Sequence, residues 1–275
     1  MSASLAIRVQ PCPPRARCEC LHALLLAGCL SIGFVQAPGV AGASTPEDAR
    51  EAALRAVEFL TEKVAHHGGY VWRYSHDLAV CEGEGVVDAD TIWVQPPGTP
   101  TVGEAFVRLY EVTGESTFRD AALATAEALR QGQMRSGGWQ ASIEFGADRR
   151  KWAYRTAPEQ PKQKDQASLD DDKTQSAMRF LIRLDRALQF RNPGVHETVV
   201  FALTGLMEKG QMPHGGFPQV WTSTPAASGD PDGVANYPET WSRAYPGQQE
   251  YWTQATLNDG LMPDVLETLF LAEEV

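Results

Sequence analysis

The sequence predicts an all-α protein, an α/α toroid built from three helical hairpins with long loops at one end. The first observation is a repeat: "GQMRSGGWQ" at 132–140 returns as "GQMPHGGFPQ" at 210–219, with a fainter copy, "AHHGGY", at 65–70. The second is that each copy ends an amphipathic helical segment, and another helical segment follows each loop. The third is that strand signals are weak throughout, so helical hairpins with variable loops explain the repeat.

The helical segments form an outer and an inner set. The outer helices are predicted at 46–66, 115–134 and 193–212, and the inner helices at 101–113, 173–190 and about 261–274. Paired glycines stop each outer helix, because glycine readily adopts the left-handed conformation that ends helices. In the second inner helix, Ala177, Leu181, Leu184 and Leu188 share one stripe and predict a buried face.

The first 43 residues predict a signal peptide, which leaves residues 44–275 as one domain. Three arginines precede the apolar run "LHALLLAGCLSIGFV" at 21–35, and Ala41, Gly42 and Ala43 fit a small-residue cleavage site. The run is too short to span a membrane. The protein is therefore expected to be secreted or periplasmic, and "LAGC" at 26–29 makes lipoprotein anchoring at Cys29 an alternative.

Charge and cysteine content exclude some functions. The net charge of −11 argues against a nucleic-acid partner held by a broad basic face. Four of the five cysteines lie in the leader, so the mature chain keeps Cys81 alone and can have neither a disulfide framework nor a cysteine-rich zinc site. No transmembrane segment is expected, and we expect a monomer.

Acidic residues stand directly before two of the inner helices. "SLDDDKTQ" at 168–175 places Asp170, Asp171 and Asp172 side by side, and "TLND" at 256–259 repeats the pattern with Asp259. One aspartate before a helix is usually an N-cap, but three exceed what capping needs. In a toroid both segments emerge at the same end, where these four carboxylates would supply several of the six to eight oxygens that Ca²⁺ takes. The alternative is that Lys173 neutralises the triplet without any ion.

Two families of helical toroids compete for this pattern. "QMRSGGW" at 133–139 resembles the Q-x-x-x-G-x-W repeat of triterpene cyclases. A cyclase acid motif, however, would need aspartate at the position of Leu169, and an export signal fits poorly with a membrane-lipid cyclase. A scaffold of helical repeats for protein partners is a further alternative.

The fuller resemblance is to the family 10 polysaccharide lyases, the pectate lyases with an α/α toroid. The matching segments are "WVQPPGTPTVGEAFVRLYEVTG" (93–114), "SGGWQASIEF" (136–145), "SLDDDKTQSAMRFLIRLDRAL" (168–188), "GGFPQVW" (215–221), and "YPETWSRAYPG" followed by "TLNDGLMPDVLETL" (237–269). They cover most of residues 47–275 in the order that the family has.

The resemblance implies calcium-assisted β-elimination of polygalacturonate, an acidic polysaccharide. In that chemistry a cation bridges protein carboxylates and a uronate carboxylate, which acidifies the proton on C5 before the C4 oxygen departs. Asp170, Asp172 and Asp259 match the acidic positions of the family best, and Asp171 and Asn258 are neighbours that would ligate or orient.

An acidic protein needs local features to hold such a polyanion. "RRKWAYR" at 149–155 offers Arg149 and Arg155 for uronate carboxylates and Trp152 for a sugar face. Arg73 in "YVWRYS" and Arg243 in "WSRAYP" are further candidates, because the arginine fork pairs with a carboxylate through two bonds. A solvated loop is the alternative interpretation of the 149–155 segment.

The catalytic base is the point of departure from the family. The family uses an arginine on a segment well beyond the counterpart of "TLND", and here that segment is expected beyond Val275. Two function classes therefore stay open: a calcium-dependent pectate lyase-like enzyme, and a catalytically inactive uronan-binding relative.

Overall fold

Six α-helices occur in the part of the chain that the structure, a computed structural model, describes: residues 45–146, 151–224 and 251–275. They are α1 (Pro46–Phe59), α2 (Thr99–Thr113), α3 (Ser116–Gly132), α4 (Lys173–Ala187), α5 (Pro193–Gly205) and α6 (Leu261–Glu273). One π-helical turn extends α1 over Leu60–Val64, and another extends α5 over Leu206–Gly210. The predicted helices are confirmed to within a few residues. The predicted signal peptide at 1–43, Cys29, Arg149 and Arg243 lie outside the described residues.

Local sequence signals start the outer helices. Thr45 accepts a hydrogen bond from the backbone N–H of Asp48, and the Asp48 carboxylate accepts one from the backbone of Thr45, which forms a capping box before α1. Asn192 caps α5 by accepting from the Val195 N–H at 3.0 Å, and Pro193 follows as the first helical residue.

The helices pack in two rows. In one row α2 contacts α4 and α4 contacts α6, and in the other α1 contacts α3 and α3 contacts α5. A two-residue link joins α2 to α3, and a five-residue link at 188–192 joins α4 to α5, so each of these pairs forms a hairpin that bridges the rows. The long connections at 65–98, 133–172 and 211–260 all lead from the end of an outer helix to the start of an inner one.

Short strands within the long connections pair with one another. The strands are β1 (Arg73–Tyr74), β2 (Cys81–Glu82), β3 (Val86–Val87), β4 (Thr91–Trp93), β5 (Ser142–Glu144), β6 (Ala167–Ser168) and β7 (Val220–Trp221). β1, β2 and β3 form an antiparallel sheet within the first connection. β4 pairs with β5 between the first and second connections, and β6 pairs with β7 between the second and third. The chain is therefore mostly helical rather than purely α.

Large aromatic side chains fill the core between the rows and the connections. Trp139, Tyr154, Phe106, Phe118 and Phe180 are all fully buried. The Trp139 indole N–H donates to the Leu129 carbonyl at 2.8 Å, so the buried ring keeps its polar group satisfied. The repeated glycine-aromatic motif thus anchors the end of α3 to the core.

Among the described residues, no helix combines the length and the apolar character that a membrane span requires.

Candidate cation site

The aspartate triplet forms a tight turn between β6 and α4. Asp170–Asp172 make one turn of 3-10 helix, in which Asp171 and Asp172 both have positive φ, at 48° and 59°. Aspartate is among the non-glycine residues that adopt this conformation most readily. Asp172 stands at the N-cap position of α4, yet its side chain makes no capping hydrogen bond. The capping interpretation of the triplet therefore does not hold.

Three carboxylates meet in front of the inner helices. Asp170, Asp171 and Asp259 each offer an oxygen, and these oxygens all lie within 4.8 Å of one another. Asp259 arrives from the turn before α6 and also has a positive φ, of 51°. The contact between α4 and α6 brings the two turns together. We call these three residues the acidic cluster.

Asp172, the fourth predicted carboxylate, is not grouped with the acidic cluster. Its Oδ2 accepts a hydrogen bond from Arg179 Nη2 at 2.5 Å, and its Oδ1 is buried without a hydrogen-bond partner. Burial raises the pKa of Asp172 although Arg179 opposes the shift. Successive residues of a tight turn point in different directions, so three adjacent aspartates cannot all face one ion.

A buried lysine and two buried amides hold the acidic cluster in place. Lys173, 8% exposed, places its Nζ 2.8 Å from Asp170 Oδ2 and 3.7 Å from Asp171 Oδ2. Gln219 donates to Asp170 Oδ1 at 2.6 Å, and Gln95 donates to Asp171 Oδ2 at 3.0 Å. The Oε1 atom of Gln95 is buried and has no hydrogen-bond partner.

The electrostatic balance of the acidic cluster is negative. Three ionised carboxylates and the Lys173 ammonium leave a formal charge of −2. Burial raises the pKa of Asp171, and the neighbouring charges of Asp170 and Asp259 add to the shift. A divalent cation would balance this charge, and a carboxylate-rich oxygen set is what Ca²⁺ prefers. The charge and oxygen content of the acidic cluster are therefore compatible with a divalent cation.

A polar cavity of about 640 Å³ opens over the acidic cluster. Besides the three carboxylates and Lys173, its walls include the amides of Gln140, Gln166 and Gln219 and the rings of Tyr251 and Trp252. Its volume lies in the range of roughly 300–1,000 Å³ that is typical of small-ligand pockets. There is thus room beside a bound ion for part of a larger, hydroxyl-rich molecule.

Two further predicted binding residues, Asn258 and Arg73, differ in their position relative to the acidic cluster. Asn258 adjoins the acidic cluster, where its side-chain amide donates to Asp259 Oδ2. Arg73 is exposed and pairs with Glu82 across β1 and β2 at 2.9 Å, and it does not line the cavity.

Arg155 and Trp152, both predicted to bind substrate, do not line the cavity and contact other parts of the fold. Arg155 donates to the side chain of Gln133 and to Glu197 Oε1, the latter at 2.9 Å, and its guanidinium lies 4.9 Å from the centre of the Phe201 ring. Trp152 is 9% exposed and packs in the core. Arg155 therefore fastens the second connection to α5, and the Trp152 ring has no face free for a sugar.

Sequence reasoning missed Gln95, Gln219, Tyr251 and Trp252. Gln95 and Gln219 lie beside β4 and β7, where a polar residue interrupts an otherwise apolar segment, as in "WVQPP" and "FPQVW". That interruption was the available signal. Tyr251 and Trp252 stand five and four residues before "TLND" in a segment without periodicity, and nothing in the sequence alone singles them out.

Comparison of the chain with protein-family models gives no match, and comparison with curated proteins gives none either.

Proposed function

We propose that this protein binds polygalacturonate, or a closely related uronate polysaccharide, through a calcium ion held by Asp170, Asp171 and Asp259, as a pectate lyase-like protein. The observation that best supports the proposal is the convergence of these three carboxylates, within 4.8 Å, at the base of a polar cavity. Several segments between residues 93 and 269 resemble those of the family 10 lyases and follow the same order, and this resemblance supplies the substrate class.

The roles of the side chains follow from their positions. The acidic cluster would hold the ion, and Gln95 and Gln219 fix the orientation of two of its carboxylates through hydrogen bonds of 3.0 and 2.6 Å. When bound, calcium supplies positive charge that attracts a uronate carboxylate and stabilises the negative charge that develops when the C5 proton leaves. Lys173 keeps part of the charge of the cluster balanced in the absence of an ion.

We further propose that the two helix rows curve into the α/α toroid that the sequence predicts. The order of contacts within each row and the placement of all three long connections before the inner helices support this arrangement. Export through the leader at 1–43 belongs to the same proposal, because an extracellular polysaccharide cannot be reached from inside the cell.

Calcium titration of the full-length chain by calorimetry tests the proposal, with and without short oligogalacturonates. We expect calcium binding that the oligomer strengthens, because the uronate carboxylate completes the coordination of the ion. A variant with Asp170, Asp171 and Asp259 changed to Asn should lose both signals. Absence of calcium binding by the parent chain, with its helical spectrum intact, would rule the proposal out.

Two control variants sharpen this experiment. Asp172→Asn removes an adjacent carboxylate that the structure directs to Arg179, so calcium binding should persist. Asp120→Asn removes an exposed carboxylate on α3 and should change nothing. Equal losses in all the variants would mean that general negative charge, and not the acidic cluster, attracts the ion.

The enzyme and the inactive relative give different products. β-Elimination creates a carbon–carbon double bond conjugated with the carboxylate, so a lyase produces an ultraviolet-absorbing product that a chelator abolishes. An inactive relative is retained on polygalacturonate in the presence of calcium and forms no such product. Retention unaffected by loss of the acidic cluster would instead favour the scaffold of helical repeats.

A further inference from the structure

We infer that Tyr251 and Trp252 form a sugar-stacking surface beside the acidic cluster, where they hold a pyranose ring of the same uronate chain. This inference rests on the proposed function and adds the residues that position the polysaccharide. Both rings line the cavity that contains Asp170, Asp171 and Asp259.

Tyr251 and Trp252 are both exposed to solvent. Trp252 is 37% exposed and Tyr251 47%, whereas Trp139 and Trp221 are almost completely buried. Leaving large aromatic surface in water forgoes the hydrophobic stabilisation that burial would give. Here that surface lies at a cavity whose other lining residues are charged groups and amides together with Ser168 and Val220. Sugar rings suit such a place, because they present apolar C–H faces to aromatic rings and hydroxyl groups to the polar walls.

The relative orientation of the Tyr251 and Trp252 rings also favours ligand binding. The two ring centroids are 5.6 Å apart and the ring planes meet at 72°, so the rings are arranged edge to face. In this arrangement the edge of one ring covers a face of the other, so the pair itself covers one ring face and not two. In a parallel stack, the two rings would instead have buried one face each.

Backbone contacts also fix the turn that bears these rings. Tyr251–Thr253 form one turn of 3-10 helix, and Gln254 donates from its backbone N–H to the Tyr251 carbonyl at 2.9 Å. Directly after the turn, Ala255 forms an antiparallel bridge with Pro218, and Thr256 donates to the Phe217 carbonyl at 3.2 Å. These contacts join the turn to the segment that bears Gln219, which donates a hydrogen bond to Asp170.

The polar walls complete a site for a sugar. Gln140 donates to the Gln166 carbonyl at 2.5 Å, which holds its amide at the cavity wall. Amide side chains both donate and accept hydrogen bonds, as hydroxyl groups of a sugar require. We therefore place one uronate carboxylate at the ion and a sugar ring of the same chain on the aromatic pair.

The test is a titration of the full-length chain, saturated with calcium, with a purified oligogalacturonate of defined length. Trp252→Ala should weaken oligomer binding about tenfold, while the affinity of this variant for calcium alone stays at the parental value. Trp252→Phe keeps a ring and should restore most of the affinity. Phe270→Ala removes an even more exposed ring on α6 outside the cavity and should have no effect.

The outcomes separate this inference from the proposed function. If the parent binds calcium and the oligomer, but Trp252→Ala and Tyr251→Ala bind the oligomer as the parent does, the stacking surface is refuted and the calcium proposal stands. If the parent binds calcium without binding the oligomer, the inference fails together with the polysaccharide part of the proposal. Equal losses in Trp252→Ala and Trp252→Phe would also refute stacking, because the phenyl ring retains an aromatic face.

Discussion

Three consecutive aspartates have three different surroundings. Asp170 receives hydrogen bonds from Lys173 and Gln219, Asp171 receives one from Gln95, and Asp172 binds Arg179 on another side of the turn. The left-handed conformation of Asp171 and Asp172 separates these directions, so the backbone reduces the repulsion that three parallel carboxylates would suffer. Two of the three aspartates are thereby left facing the cavity with Asp259.

Lys173 is the residue that a cation must compete with. Its ammonium lies among the same oxygens that would ligate the ion, 2.8 Å from one carboxylate and 3.7 Å from another. Lys173→Gln removes this positive charge, and we expect the calcium affinity measured by calorimetry to rise about tenfold, which corresponds to about 1.4 kcal/mol. Lys173→Arg keeps the charge and should stay near the parental affinity. An unchanged or lower affinity in Lys173→Gln would show that the lysine supports the turn rather than opposing the ion.

At the level of elements, helix α5 packs closely on the glycine turn that follows α3. A Cβ atom added at Gly205 would lie 2.3 Å from the Ser136 carbonyl oxygen and 3.0 Å from the Gly137 Cα. Gly137 itself has a φ of 109°, a conformation that side chains rarely adopt. The repeated glycine pair therefore does not end α3, which stops at Gly132 with Gln133 in an extended conformation, but lies in the turn that follows and lets the next outer helix approach.

Two glycines of the same helix provide a matched pair for testing this packing. Alanine normally stabilises a helix relative to glycine. At Gly205 the clash should prevail, so Gly205→Ala is expected to lower the free energy of unfolding by about 1–3 kcal/mol. At Gly194 the nearest atom to an added Cβ is 3.5 Å away, so Gly194→Ala should be neutral or slightly stabilising. Urea denaturation measures both values, and equal effects of the two substitutions would contradict the close approach.

The elements differ in how far the sequence predicts them. Helices such as α4 span four turns, so their apolar stripes give a clear periodic signal, and both ends were predicted closely. β6 and β7 have two residues each, too few for an alternating pattern, and they form because the second and third connections lie side by side. The juxtaposition of Asp170 and Asp259 followed from the repeat. Asp172 turns to Arg179, seven residues further along on α4, and the left-handed backbone conformation that directs it there gives no periodic signal in the sequence.

For the whole molecule, charge sets the conditions for function. A chain of net charge −11 repels a polyanion at long range, so binding depends on local positive charge and on the salt concentration. A divalent ion at the acidic cluster would cancel its formal charge of −2 at the point of contact. A calcium ion bound as proposed would therefore act on the affinity for the polysaccharide and on the stability of the fold together.

Calcium should raise the melting temperature of the full-length chain, because a ligand that binds only the folded state stabilises it. At a free concentration of 100 times Kd, the added stability is about 2.7 kcal/mol. A scan by differential calorimetry should show the rise and its reversal by a chelator, and the variant lacking Asp170, Asp171 and Asp259 should show neither. Sodium chloride of matched ionic strength is the control, and an equal shift with that salt would attribute the effect to screening.

The acidic cluster and the two amides that hold it come from three separate connections, and this also constrains folding. Gln95 bonds Asp171 across 76 residues of sequence and Gln219 bonds Asp170 across 49, while Asp259 comes from a still later segment. Contacts of such separation form late, because the entropy of closing each loop is lost before the contact stabilises the chain. A partly folded chain therefore keeps Asp259 apart from Asp170 and Asp171 and lacks the acidic cluster. If the cluster binds calcium as proposed, a nascent chain would gain the site only when the last repeat docks.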